Sequence, residues 1–207
     1  MYTQQHQGTD MAARTRKVVG NISLSLDGRI NGRGGDYDMS WILPHAVTET
    51  SREYLMRMTH NATTALLGRK NYEGFGSYWP TVAKDDKAEP RDRAFAQWLE
   101  SVEKVVFSTT AQEAPWRNSR IARDPVAEVR ELRNQPGGDI FVLSSSSIIR
   151  TLVAAGELDR LIINLCPELV GGGARLFGDG VPQSSWSLTD LSTSETSATY
   201  LVYDRVR

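Results

Sequence analysis

The chain has 207 residues, about one to two times the common domain size, so one compact domain with a substantial core is expected. Hydrophobic residues are 40%, charged 24% and aromatic 8%, which excludes collagen-like, coiled-coil and disordered chains. Lys plus Arg number 24 against 25 for Asp plus Glu, and a net charge of -1 leaves no basic excess to hold nucleic acid.

Residues 1–15 are polar, carry no apolar period and read as a disordered leader ahead of a single domain over 16–207. Residues 17–26 alternate as a strand, with Val19, Asn21, Ser23 and Ser25 on one face, and Asp27-Gly28 marks a turn. Residues 30–37 (INGRGGDY) form a Gly-rich loop, and Pro44 opens one helix reaching about His60. A buried strand over 63–67 runs into Gly68-Arg69-Lys70, where a helix starts. Phe95, Trp98, Leu99 and Val102 recur at helical spacing, and residues 104–108 return to a strand. Asp124-Pro125 caps a helix ending before Pro136-Gly137-Gly138. Residues 139–143 (DIFVL) are a strand, four serines follow, and a helix then runs to its stop at Gly156. Residues 158–165 are a strand, and the tail from Trp186 to Val206 alternates in two runs around 192–197 as an antiparallel hairpin.

This alternation predicts an α/β domain whose mixed, mostly parallel sheet is covered on both faces. Such sheets bind ligands at the carboxyl ends of their strands. Three strand ends carry suitable groups: Gly68-Arg69-Lys70, Ser108-Thr109-Thr110 and Ser144 to Ser147. Glycine admits close backbone approach, Arg69 and Lys70 suit a phosphate monoester, and four hydroxyls before a helix suit a pyrophosphate. Each also has an ordinary reading, as solvated cations, a capped strand end and an N-cap cluster. The first strand lacks GxGxxG, which disfavours a common dinucleotide fold.

The single cysteine, Cys166, permits no intramolecular disulfide, sits in an apolar strand and fits a reducing, cytoplasmic setting. The three histidines form no metal-ligand spacing, so no metal is expected. No apolar run approaches a membrane span, and MYTQQHQGTD lacks the order of a secretory signal, so membrane attachment and export are not expected. Gly171-Gly172-Gly173 reads as a turn, and Trp41 is placed to wall a pocket.

Taken in order, SLDGRI, SWI, ALLGRKNYEGF, KVVFSTT and DIFVLSSSSIIRTLVAAGELDRLIINLCPELVGGGARLF resemble the dihydrofolate-reductase-like reductases. The likeness is to the group built like the C-terminal reductase domain of the riboflavin-biosynthesis deaminase/reductase, and it spans about Lys17 to Phe177. It implies a three-layer α/β/α fold binding NADPH. On that likeness Gly68, Arg69 and Lys70 hold the adenosine side with its 2′-phosphate, and Ser108, Thr109 and Thr110 line the same end. Leu143, Ser144, Ser145, Ser146 and Ser147 cradle the pyrophosphate, Ile30 and Asn31 approach the nicotinamide, and Asn21 and Trp41 lie near the substrate. Relatives carry glycine where this chain has Ser144, and the acid of true folate reductases is replaced by Ala46. No zinc-deaminase HxE and CxxC arrangement is present. The expectation is therefore a stand-alone reductase acting on C=N or C=O of a small heterocyclic or carbonyl compound, with Asp27 and Glu49 as candidate proton donors. A nucleotide-binding module without turnover and a flavin-binding protein are the alternatives. Pairing within the family and the apolar tail hairpin around Trp186 and Tyr200 point to a homodimer.

Overall fold

The computed structural model describes residues 16–207, and the expected leader at 1–15 lies outside the described residues. The strands are β1 (Val18–Ser25), β2 (Ala62–Gly68), β3 (Glu103–Phe107), β4 (Ser119–Ala122), β5 (Asp139–Leu143), β6 (Arg160–Cys166), β7 (Trp186–Thr193) and β8 (Thr199–Arg205). The helices are α1 (Leu43–Ala46), α2 (Glu49–Thr59), α3 (Arg69–Val82), α4 (Pro90–Ser101), α5 (Pro125–Arg133) and α6 (Ser146–Ala154).

All strands join one eight-stranded sheet in the order β4-β3-β2-β5-β1-β6-β8-β7. The run from β4 to β6 is parallel, and β8 and β7 close it as the expected antiparallel hairpin. Strand alternation divides the core in two. On one face Val18 and Ile22 of β1 and Ile140 and Val142 of β5 pack with Val129 of α5 and Ile149 and Leu152 of α6. On the other, Val19, Phe141 and Leu143 pack with Tyr54 of α2, Tyr72 of α3 and Phe95 and Leu99 of α4. The three-layer α/β/α arrangement is the one expected. Asp124 caps α5 by accepting from the N–H groups of Val126 and Ala127 at 2.9 and 3.3 Å.

Two expectations are corrected and one strand is added. The single helix from Pro44 to His60 is two helices, because Thr48 turns extended and its Oγ1 accepts from Ser51 N at 3.1 Å as the cap of α2. Val102 lies outside α4 in extended backbone. Strand β4 was not anticipated; within the sheet its four residues pair with β3, and Arg120 ties it to Glu103 and to Glu128 of α5. No helix among the described residues is long and apolar enough to cross a membrane.

Candidate functional site

In the sheet, β3, β2 and β5 are consecutive neighbours, so the ends that carry Ser108, Gly68 and Ser144 lie side by side. Two helices start there. Gly68 is the N-cap residue of α3 and Ser145 that of α6, and neither helix has a side chain bonded to its first-turn amides. Two uncapped N-termini on adjacent strands present partial positive charge to one edge of the sheet.

The four serines are not an ordinary cap cluster. Ser145 is buried, and its Oγ accepts from Gly68 N at 2.9 Å while donating to Leu143 O at 3.0 Å. Gly68 thus spends its own N–H on Ser145, which leaves the amides of the first turn of α3 as the ones free of a side-chain cap. Ser144 has φ of +49°, in the left-handed region that favours glycine, and its N–H donates to Asn21 O of β1 at 3.0 Å. Asn71, unremarked in the sequence, donates from Nδ2 to Leu143 O at 3.2 Å and to Ser144 O at 2.6 Å. An amide in the first turn after Gly-Arg-Lys was the available signal.

Arg69 donates to Glu73 at 2.7 Å and to Thr110 Oγ1 at 3.0 Å, so the ends of β2 and β3 share a guanidinium. Lys70 meets Asp36 of the Gly-rich loop. The carboxylate hydrogen bonds of Glu73 and Asp36 raise both cations above their ordinary pKa values. Ser108 Oγ accepts from Thr110 N and Ala111 N at 3.3 and 2.9 Å, which folds this end into a tight turn and leaves Thr109 exposed.

The loop is rooted beside β1. Ile30 N donates to Ala174 O at 2.9 Å, and Ala174 N donates to the buried Asn31 Oδ1 at 2.7 Å. The Gly171-Gly172-Gly173 run is therefore more than a turn. Gly173, with φ of +85°, brings its backbone so near Asn31 that a Cβ would lie 2.1 Å from the Asn31 carbonyl. Past the loop, Trp41 is half-buried and its Nε1 has no partner among the described residues. Asn21 faces α2, with Nδ2 at 3.7 Å from Met58 Sδ.

The two candidate proton donors are not brought to this edge together. Asp27 accepts from Ser25 Oγ at 2.6 Å, from Val170 N and Gly171 N at 3.1 and 3.0 Å, and from Arg29 at 3.2 Å. These bonds, that of Ser25 first, hold its carboxyl far below the ordinary value. Such an anion has no proton to give near neutral pH. Glu49 is exposed at the start of α2, 3.6 Å from Arg91 of α4. His45, which sequence reasoning passed over, is buried between Thr196 Oγ1 at 2.8 Å and Glu168 Oε1 at 3.1 Å, and pins α1 to the hairpin turn. Cys166 is a buried free thiol, pushed up to about 12 by burial, and is inert as a nucleophile. Among the described residues no group of three or more His, Cys, Asp and Glu side chains is placed to hold a metal ion.

Residues 16–202, nearly all of the described chain, match the family described as the RibD C-terminal domain. The chain belongs to that family. An uncharacterized Bacillus subtilis protein, YyaP, is 27% identical over 192 residues, covering 92% of this chain and 95% of the relative. A Shewanella protein assigned to riboflavin biosynthesis has a similar fold, with TM-score 0.69 and 20% identity over 92% of this chain and 99% of its own. Dihydrofolate reductase from Enterococcus faecalis, solved in complex with NADP(H) and RAB-propyl, superposes with TM-score 0.59 and 17% identity over 92% of this chain and 97% of its own. At these identities the solved structures establish the fold alone, a dihydrofolate-reductase-like α/β/α sheet.

Proposed function

We propose that this RibD C-terminal-type chain is an NADPH-dependent oxidoreductase that reduces a C=N or C=O bond of a small heterocyclic, pyrimidine- or pteridine-like, or carbonyl substrate. The observation that carries this reading is the pairing of two uncapped helix N-termini at adjacent strand ends, flanked by Arg69, Lys70 and a run of hydroxyls. That is a site for a molecule with phosphate at two places along its length.

The residues fit the cofactor. Arg69 and Lys70, with Thr110 and the Ser108-Thr109 turn, would hold the 2′-phosphate end beside Gly68. Leu143, Ser144 and Ser145 to Ser147 would face the pyrophosphate, with Asn71 fixing the two carbonyls that shape the strand end. The positive φ of Ser144 is the conformation that a close backbone approach needs. Ile30 and Asn31 would border the nicotinamide, and Asn21 and Trp41 the substrate. Bound NADPH would supply the hydride, and the chain would align it with the acceptor. Asp27 acts as a positioning residue that ties the turn after β1 to Val170 and Gly171. With Glu49 turned to Arg91 and Asp27 held as its anion, the proton that the reduction needs would come from solvent.

A second copy is the partner favoured for this chain. β7 is the edge strand, with Leu188 and Leu191 exposed, and beside it a cleft of about 430 Å³ is walled by Leu161, Ile163, Phe177, Trp186 and Tyr203. A cytoplasmic setting accords with the one buried free thiol. The exposed Ala46, where a folate reductase would carry an acid, favours the alternative of a nucleotide-binding module without turnover. The two readings separate in one assay: purified protein is titrated with NADPH, then given a panel of pyrimidine, pteridine and carbonyl compounds while the nicotinamide absorbance is followed. Binding with substrate-dependent oxidation supports the reductase; binding with no oxidation across the panel supports the module.

A further inference from the structure

The Gly-rich loop has an order that its composition did not suggest. Asp38 gathers it: Gly34 N donates to Asp38 Oδ2 at 3.0 Å, Gly32 N to Asp38 O at 2.8 Å and Ser40 Oγ to Asp38 Oδ1 at 2.8 Å. Gly32 packs so closely that a Cβ would lie 2.1 Å from that carboxylate. The root is fixed too, by the pairing of Ile30 and Asn31 with Ala174 and by Arg33, which donates to Gly171 O at 3.4 Å. The tip differs. Asp36 reaches away from this knot to the Lys70 ammonium, with Tyr37 exposed beside it.

The loop tip therefore places a carboxylate on the cation to which the cofactor reading gives a phosphate. Both partners are more than half exposed, at 61% and 55% of their side-chain surface. Exposed lysine–carboxylate pairs are weak and are exchanged easily. A phosphate monoester carries close to two charges and three acceptor oxygens, so it outcompetes one carboxylate for Lys70. A ribose with a free 2′-hydroxyl offers no such charge and leaves the pair in place.

We propose that Asp36 is the resident counterion of the phosphate subsite, occupying Lys70 when no ligand is bound and leaving it when a phosphate monoester arrives. Asp36 then sets how tightly ligands bearing that group are held, and its departure frees the loop tip that leads towards Trp41. The proposal rests on the cofactor reading for the identity of the ligand, but not for the exchange itself.

The test uses the whole chain as wild type, Asp36→Asn, Lys70→Met and Asp36→Asn/Lys70→Met, titrated calorimetrically with NADPH, NADH and adenosine 2′-monophosphate. Asp36→Asn is expected to tighten NADPH and adenosine 2′-monophosphate by about 2–5-fold, as removal of a weak competing pair should, and to leave NADH unchanged within about 1.5-fold. On the Lys70→Met background the same change should do nothing. Amide exchange over 32–38 should quicken in Asp36→Asn without ligand. Unchanged or weaker NADPH binding in Asp36→Asn would overturn the proposal. A selective loss of NADH would also overturn it, by showing that Asp36 accepts from a ribose hydroxyl instead. If wild type binds neither dinucleotide the cofactor reading fails, and adenosine 2′-monophosphate alone decides whether Asp36 competes for Lys70.

Discussion

The hydroxyl of Ser145 accepts from the backbone N–H of Gly68 at 2.9 Å, which locks the ends of β5 and β2 together at the point where α3 and α6 both begin. Its second bond, to Leu143 O at 3.0 Å, fixes the rotamer. The spacing of the two helix starts therefore depends on one buried side chain.

Ser145→Ala removes that clamp and leaves the Gly68 N–H without its partner, so a loss of stability of about 1–3 kcal/mol is expected. Cofactor affinity should fall with it, because the two N-termini are no longer held in register. Urea unfolding together with NADPH titration checks both. Ser145→Thr, which keeps a hydroxyl, should recover most of the loss.

Ser144 makes the opposite prediction. An L residue at φ of +49° is disfavoured relative to glycine, by about 1 kcal/mol in left-handed backbone. Ser144→Gly should therefore leave stability unchanged or raise it slightly, the relief of strain being offset by added freedom in the unfolded chain. NADPH should bind tighter, since no Cβ stands beside the approaching phosphates. Ser144→Val, β-branched at the same φ, should lose both.

Lys104 gives a pH dependence with a definite sign. It is fully buried on β3, donating to Leu99 O and Val102 O at 2.6 and 2.9 Å, with its ammonium 4.9 Å from the Trp116 ring centre. Burial lowers its pKa from 10.5 to about 8. Between those values the unfolded chain binds more protons than the folded one, so this residue's contribution to stability rises with pH and is flat below about 8. Each unit of difference corresponds to about 1.4 kcal/mol. Unfolding free energies of wild type minus Lys104→Met should thus climb from pH 7.5 to pH 10, roughly by one to three kcal/mol. A flat or falling difference would contradict the assignment.

Dihydrofolate should be a poor substrate or none. Pterin reduction needs a proton donor within hydrogen-bond reach of the ring, and Ala46 offers none. Asp27 is held as its anion and Glu49 faces Arg91. Stopped assays of NADPH oxidation with dihydrofolate should show no more than background in wild type, and Glu49→Gln should change turnover of an accepted substrate less than about twofold, far below the 10²–10⁴-fold expected for a general acid. A loss of that size would restore Glu49 as the donor.

How much of this was legible in the sequence follows the distance between partners. The cap at Asp124, the stop at Gly156 and the strand at Asp139–Leu143 are local signals, and the structure shows each. The break before α2 was hidden because its capping is partly remote: Glu195 Oε1, in the hairpin turn, accepts from Thr50 N at 3.2 Å. Strand β4 is four residues long, and its partners, β3 and Glu128 of α5, are contacts that a four-residue window does not reveal. The serine run could be placed at a ligand edge, but the use of Ser145 could not, since Gly68 is 77 residues away. Lys70 and Asp36 likewise meet across 34 residues.

The most direct measurement is a parallel titration of wild type and Arg69→Ala/Lys70→Ala with NADPH and NADH. Charge-assisted bonds contribute about 1.5–3 kcal/mol each, so the double variant should lose at least about tenfold in NADPH affinity while NADH changes little. Equal losses for the two cofactors, or wild-type binding that does not distinguish them, would contradict the placement of the 2′-phosphate at Arg69 and Lys70.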